Sequence, residues 1–168
     1  MSDDDDAREW LQRELDASLV DQDDKFAHGV TARVRIRETF VQRAESADGR
    51  RRVLSAAVVS ECAVEKDMLH GGHLTHGGCT AYLADLCTSF AFKLHARESG
   101  RNLRVGPTQT LNVVYHAPGI PGTILRIAAT SLSINDRLVS GKCEVWDTTN
   151  KRLVVSAIIV RGIERARL

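Results

Sequence analysis

The chain has 168 residues, 43% of them hydrophobic, and a formal net charge of +1. This length predicts a single domain with one substantial core. The near-neutral charge, with no basic block interleaved with aromatic residues, argues against a nucleic-acid-binding protein. No apolar run approaches the roughly 20 residues that a membrane-spanning helix needs.

Residues 1–27 are predicted to form an acidic N-terminal extension. Trp10, Leu11, Leu15 and Leu19 recur at helical spacing, and the aspartates that precede them suit a helix N-terminus. We expect an amphipathic helix that packs on the domain, because its polar face is acidic whereas membrane-surface helices are usually basic. The acidic start also differs from a secretory signal or an Arg-rich transit peptide.

Residues 28–164 are predicted to form the main domain. Strand patterns cover 30–40 and 52–64, on either side of an Asp48-Gly49 turn, and a long apolar helix follows and ends near Glu98. Four further strands are predicted at 106–116, 122–134, 137–148 and 152–163. This order predicts an α+β domain in which an antiparallel sheet curls around one long central helix.

The arginines and the cysteines also bear on function. Arginines alternate along the first strand and open the second (Arg33, Arg35, Arg37, Arg50, Arg51 and Arg52), which is typical of a solvated strand face or, alternatively, of a surface that binds a phosphate-rich ligand. The four cysteines (Cys62, Cys79, Cys87 and Cys143) have no CxxC spacing. They favour a reduced intracellular compartment.

The last residues are predicted to form an exposed tail, 165–168. It contains Ala166, Arg167 and Leu168, a conservative variant of the Ser-Lys-Leu peroxisomal signal. This tripeptide predicts a peroxisomal import receptor as a partner and a peroxisomal location, with the cytoplasm as the alternative.

The most informative residue is Asp85, which lies within an otherwise apolar or small stretch at 79–92. A helix that is apolar on all sides is usually buried, and a carboxylate there costs several kcal/mol unless it is paired, hydrogen-bonded or catalytic. The sequence therefore predicts a buried acid with a specific task.

A glycine- and histidine-rich turn, 70–78, precedes this helix. Gly77 and Gly78 lie at its apparent N-terminus, where free N–H groups and the helix dipole favour an oxyanion. Acyl transfer needs such donors at a carbonyl oxygen that gains charge. Gly77 and Asp85 are about 12 Å apart along one helix, so both can reach one carbonyl only if two helices pack antiparallel across a two-fold axis.

Three histidines of the same turn allow a competing interpretation. His70, His73 and His76 are spaced by three, with Cys79 three further on, and such a series can bind zinc. The intervening glycines remove the helical phase that would give this spacing a meaning.

The segment LTHGGCTAYLAD, 74–85, resembles the HGG-to-Asp signature of hotdog-fold acyl-CoA thioesterases. The most similar groups are the phenylacetate-pathway type and the acyl-coenzyme A thioesterase 13 (thioesterase superfamily member 2) type. The resemblance runs from about 58 to 163. It implies a hotdog fold, acyl-CoA hydrolysis without a cofactor or a metal, and a homodimer or homotetramer with sites between subunits.

The resemblance also assigns residues. Asp85 matches the family's general base or nucleophile, Gly77 the glycine whose N–H polarises the thioester carbonyl, and His76 the histidine that supports the turn. Thr108 matches a Ser or Thr that positions water or the acid. His70 stands where the family usually has Asn, although an imidazole can also donate a hydrogen bond. This departure leaves open a non-catalytic acyl-CoA-binding protein. A hotdog enoyl-CoA hydratase is a separate alternative, although the His-plus-acid pattern of the hydratases is not seen in this sequence.

Overall fold

We describe the fold from a computed structural model of the chain, which describes residues 3–20, 26–45, 49, 51–71 and 73–164. The predicted tail 165–168, Asp48 of the predicted turn and Arg50 lie outside the described residues.

Three α-helices and eight strands make up the described structure. The helices are α1 Asp3–Leu19, α2 His28–Ala32 and α3 Gly77–Glu98. The strands of the main sheet are β1 Arg35–Glu45, β2 Arg51–Ala63, β5 Arg104–Tyr115, β6 Ile124–Ile134, β7 Leu138–Asp147 and β8 Arg152–Glu164. A 3₁₀ turn, Lys66–Met68, leads into a two-stranded hairpin of β3 Leu69–His70 and β4 Leu74–Thr75.

The main sheet is antiparallel throughout and has the strand order β1-β2-β6-β7-β8-β5. The long helix α3 packs against β2, β5, β6, β7 and β8, so the sheet wraps around it. The α+β architecture predicted from the order of elements is confirmed. None of the described helices is long and apolar enough to cross a membrane.

One strand prediction is wrong at its start. Residues 30–32 belong to the short helix α2, and the first strand begins only at Arg35. The N–H and the hydroxyl group of Thr31 both donate to the carbonyl of Ala27, which closes a helical turn. The Thr31 hydroxyl also bonds the Tyr82 hydroxyl at 2.6 Å, so a contact with α3 decides the conformation of this segment.

Helix α3 forms the centre of the core. Leu83, Ala84, Cys87, Ala91 and Leu94 on its sheet-facing side are fully buried. The opposite side is only half-buried and includes Tyr82, Asp85, Leu86, Ser89 and Lys93. Of these residues, Tyr82 and Leu86 leave some apolar surface of the helix uncovered in the single chain.

Helix α3 and the sheet are in tight contact at Gly141 of β7. A Cβ atom at this position would lie 2.7 Å from Cγ2 of Thr88, 2.8 Å from Cε1 of Phe92 and 2.9 Å from the carbonyl oxygen of Thr130. Real Cβ atoms do not come this close to other heavy atoms, so only glycine fits here.

Helix α1 packs on β1 and α3 through its apolar side, as predicted. Leu11 and Leu15 are buried in the common core. Lys93 Nζ lies 3.3 Å from Glu14 Oε2, and Arg97 lies over the Trp10 ring, 4.7 Å from its centroid. Arg97 also donates to Asp6 at 2.6 Å. The extension therefore lies along the C-terminal turns of α3.

Candidate active site

Asp85 lies on the half-buried side of α3, with 22% of its side chain exposed. Its Oδ1 atom accepts a hydrogen bond of 2.9 Å from the hydroxyl group of Thr108 on β5. The structure therefore brings together two of the residues that the sequence selected. The acid is less buried in the single chain than we expected.

The principal partner of Asp85 is Arg161 on β8, which the sequence analysis missed. Its Nη2 atom donates to Asp85 Oδ2 at 2.5 Å and its Nε atom donates to Oδ1 at 3.3 Å. The same Nη2 atom also lies 3.4 Å from the backbone oxygen of Asp85. Only 17% of the Arg161 side chain is exposed, so the ion pair is largely shielded from water.

Strand alternation explains why Arg161 faces the helix. Ala157 and Ile159 of β8 are buried, and Arg161 is the next residue in the same row. Arg161 and Thr108 are also direct partners in the pairing of β8 with β5. In the sequence, Arg161 could have been noticed as a basic residue in a row of core-facing residues. Its contact with Asp85, however, depends on the register of β8 with β5, which the sequence does not show.

The ion pair with Arg161 offsets the free-energy cost of placing the Asp85 carboxylate on an apolar helix. A half-buried acid with a bidentate guanidinium partner and a hydroxyl donor is stabilised by charge-assisted hydrogen bonds. The cost of burying Asp85 is thus offset within the chain. The burial of Asp85 alone is therefore no evidence for catalysis. Its position on the half-buried side of α3 bears on function instead.

The glycine turn forms the second half of the candidate site. His76 is the N-cap of α3, and its Nδ1 atom accepts a hydrogen bond of 2.9 Å from the N–H of Gly78. The carbonyl oxygen of Gly77 accepts bonds from the hydroxyl groups of Thr80 and Tyr115. The N–H of Gly77, the first residue of the helix, has no hydrogen-bond partner within the described ranges. The turn therefore holds a free donor at the positive end of α3.

His70 lies beside this turn. Its ring meets the ring of His76 edge to face, with centroids 5.6 Å apart and an interplanar angle of 74°. His70 is exposed and pairs with Leu74 in the β3–β4 hairpin. The residue that replaces the expected Asn is therefore close to the residues of the HGG motif.

The two halves of the site are separate in one chain. Gly77 and Asp85 lie on the same continuous helix, α3, so the separation of about 12 Å that follows from the rise per residue holds. One group contains His70, His76 and Gly77, and the other contains Asp85 with its two partners. A single substrate carbonyl cannot contact both groups of one protomer.

The described histidines and cysteines around the turn form no metal site, and the pKa values of two of these cysteines are raised. Among the residues described, no group of three or more His, Cys, Asp or Glu side chains is arranged to hold a metal ion. Burial raises the pKa of Cys79, the cysteine nearest to the free N–H group, and raises the pKa of Cys62 to about 11. Both therefore remain thiols near neutral pH and are poor nucleophiles.

Comparison with known structures identifies the architecture. Zebrafish thioesterase superfamily member 2 superposes with a TM-score of 0.68 at 20% identity, over 94% of this chain and 98% of that chain. The E. coli PaaI protein from the phenylacetic acid degradation operon superposes with a TM-score of 0.66 at 15% identity, over 95% and 97%. At these identities the likeness shows the fold alone.

A third structure contains a bound ligand. A Streptococcus mutans protein bound to acetyl-CoA superposes with a TM-score of 0.57 at 17% identity, over 67% of this chain and 84% of that chain. No curated protein matches the chain in sequence.

A family model gives the relationship at the level of sequence. The model described as the thioesterase superfamily matches residues 71–154, which is half of the chain and includes the glycine turn, α3 and the strands β5 to β7. The hotdog architecture implied by the HGG-to-Asp motif is confirmed. The chain belongs to the thioesterase superfamily.

Proposed function

We propose that the protein hydrolyses an acyl-CoA thioester to the free acid and CoA. The observation that carries this proposal is the Asp85 carboxylate, which Thr108 and Arg161 hold on the open side of a helix whose first N–H group is free. A carboxylate and a free backbone donor are the two groups that hydrolysis of a thioester requires, a base for water and a donor for the oxyanion.

The reaction assigns a role to each group. A water molecule transfers a proton to Asp85 while its oxygen attacks the thioester carbonyl carbon. The N–H of Gly77 stabilises the oxygen that gains charge, and His76 keeps the turn in place through its bond to Gly78. Collapse of the tetrahedral intermediate breaks the carbon–sulfur bond, and the proton held by Asp85 passes to the CoA sulfur.

The separation of Gly77 from Asp85 requires a second copy of the chain. We assign the N–H donor to one protomer and the carboxylate to the other, with the two α3 helices antiparallel across a two-fold axis. The half-buried side of α3 and the exposed residues of the edge strand β5 support this assembly, because both remain open to a partner. Such a dimer has two equivalent sites.

The donor set of the turn includes His70. Its ring lies next to His76, so an N–H of the imidazole can point toward the same oxyanion as Gly77. This would replace the amide of the Asn that the family usually has at this position. The bound acetyl-CoA of the Streptococcus mutans neighbour supports an acyl-CoA as the substrate.

The experiment that tests this function measures free CoA release with a thiol reagent, over a panel of short, medium, long and aromatic acyl-CoA thioesters. We expect turnover of at least one of these substrates, without added metal or cofactor. Tight binding of acyl-CoA with no release of CoA would instead indicate a binding protein. Addition of water to an enoyl-CoA without release of CoA would indicate a hydratase.

A further inference from the structure

The ion pair between Asp85 and Arg161 has a geometry that bears on how the acid works. A carboxylate has about four positions at which its oxygens can accept hydrogen bonds. Arg161 Nε and the Thr108 hydroxyl group both donate to Oδ1, and Arg161 Nη2 donates to Oδ2. Oδ1 is therefore saturated within the chain, and one acceptor position remains on Oδ2.

We propose that Arg161 is a positioning residue that fixes the Asp85 carboxylate so that Oδ2 alone accepts the proton of the attacking water. This inference rests on the proposed function. The terminal torsion of an Asp side chain has a broad energy minimum, so an unpaired carboxylate rotates freely. A bidentate guanidinium sets the plane of the carboxylate as well as its position.

Substitution of Arg161 by Gln tests this role. We expect kcat to fall about 10–100-fold with little change in KM, because a small displacement of a reacting group can cost about 100-fold. Arg161→Lys should restore only part of the rate, since an ammonium group lacks the planar fork. Guanidinium ion added to Arg161→Ala should recover activity, which loss of folding alone would not allow.

The matched control is Arg126→Gln. Arg126 on β6 forms a comparable ion pair with Glu38, at 2.8 Å, away from the site. We expect this variant to keep wild-type kcat. Wild-type kcat in Arg161→Gln would overturn the positioning role, and a higher kcat would show that the pair blocks the acid. If Asp85→Asn, measured in parallel, also kept wild-type turnover, the assignment of the base would fail instead.

A second site carries an inference of its own. A cavity of about 580 Å³ opens between the start of β2, the end of α3 and the end of β6, and its volume lies within the usual range for small-molecule sites. Arg51, Arg52 and Arg101 line it together with His95, and none of the described residues that line it is acidic. His95 lies ten residues after Asp85 on α3, about 15 Å along the helix, so the cavity is separate from the ion pair.

The charges around this cavity are not balanced. Arg101 donates to Asp136 at 3.0 Å, but the side chains of Arg51 and Arg52 have no hydrogen-bond or ion-pair partner in the part of the chain that the structure describes. Burial, together with the positive charges of Arg101 and Arg52, lowers the pKa of His95 below its ordinary value. The guanidinium groups of Arg52 and Arg101 are thus close enough to His95 to disfavour its charged form.

One polar atom of His95 remains available at the cavity. Its Nδ1 atom bonds the hydroxyl group of Ser131 at 2.8 Å, which fixes the ring. The Nε2 atom makes no hydrogen bond to any described residue. Leu54 and Leu132, which are 44% and 49% exposed, form the apolar part of the wall.

The geometry points to this cavity as a binding site for an organic phosphate. Guanidinium groups match phosphate oxygens through paired hydrogen bonds, and the exposed leucines provide a surface for the organic part of the molecule. Of the arginines that the sequence offered as a phosphate-binding surface, Arg51 and Arg52 line this cavity.

Isothermal titration of the full chain with pyrophosphate and with adenosine 3′,5′-bisphosphate tests this site. We expect both to bind, and the double variant Arg51→Gln/Arg52→Gln to bind them at least ten-fold more weakly. The control is Arg35→Gln/Arg37→Gln, which removes the same charge from β1. Equal loss in both variants would reflect net charge alone and would overturn the proposal, as would an absence of binding. The His95 ring signals in an NMR spectrum should shift with pyrophosphate.

Kinetics then identify the source of the phosphate. If the phosphate is that of the substrate, Arg51→Gln/Arg52→Gln should raise KM for an acyl-CoA and leave KM for the corresponding acyl-pantetheine unchanged. If it is that of a separate nucleotide, both KM values should stay constant while the bisphosphate still binds to the wild type. The titrations stand whether or not the chain hydrolyses thioesters.

Discussion

Replacement of Asp85 by Asn should lower kcat for acyl-CoA hydrolysis by about 10²–10⁴-fold, the range that a general base usually contributes. The amide has nearly the same shape but cannot take a proton from water. It also presents an NH₂ group or a neutral oxygen to Arg161, which loses its ionic partner. The measurement is steady-state CoA release with the best substrate of the panel.

Two controls separate chemistry from folding in this experiment. Circular dichroism and thermal unfolding report whether the variant keeps its fold, since Arg161 is left partly buried without a carboxylate. Glu38→Gln removes the acid of the comparable Arg126 pair and should keep wild-type turnover. Full activity in Asp85→Asn, or an equal loss in Glu38→Gln, would contradict the role of Asp85.

Asp85→Asn, mixed with a second variant, Gly77→Pro, tests whether the site is shared between protomers. Gly77→Pro removes the N–H donor, and proline is tolerated at the first position of a helix. Its Cβ atom would lie 3.2 Å from Cε1 of Tyr115, so that ring has to shift by a few tenths of an ångström. The preceding His76 already has the extended backbone that a following proline requires. Each variant alone should be inactive, yet a mixture of refolded subunits should regain about a quarter of the wild-type rate, since half of the dimers are hybrids with one intact site. No recovery would indicate that one chain supplies both groups.

Replacement of Gly141 by Ala should reduce the free energy of unfolding by about 1–3 kcal/mol, the usual cost of forcing extra atoms into a packed core. The new methyl group would overlap Thr88 and Phe92 of α3 and the backbone oxygen of Thr130. The backbone oxygen cannot move aside without disturbing the pairing of β6 with β7. Gly141→Val should cost more. Urea unfolding measures both.

Gly162 on β8 is the matched control. A Cβ atom there would lie 2.9 Å from Nε2 of Gln109, the end of a flexible side chain that can move aside. Gly162→Ala should therefore change stability much less than Gly141→Ala does. Equal losses in the two variants would show that strand glycines cost the same wherever they lie, and that the packing of α3 on β7 has no special role.

Much of the fold follows from local patterns in the sequence. The helix start at Gly77 and the main-sheet strands from Arg51 onward are predicted within about two residues, because turn residues and periodicity mark them directly. The short hairpin of β3 and β4 was missed. The short helix α2 was missed, since one helical turn of five residues gives no periodic signal. Its conformation depends on the contact of Thr31 with Tyr82, which only the folded chain provides.

Only part of the candidate site could be predicted from the sequence. Asp85 stands out because it is charged within an apolar stretch, and the resemblance added Thr108, which the structure places on the same carboxylate. Arg161 could not be connected with Asp85, which lies 76 residues earlier. Two strand registers and the position of α3 over the sheet decide that contact, and local sequence encodes none of them.

Helix α1 limits how a second copy can approach the first. Its pairs with Lys93 and Arg97 occupy the outer side of the last turns of α3, so a neighbouring helix can lie only along the turns from Gly77 to about Ser89. An antiparallel neighbour centred between Gly77 and Asp85 fits within that stretch. In the dimer that we propose, α1 blocks the C-terminal turns of α3, and the turns that remain are those at which the free N–H of one protomer meets the carboxylate of the other.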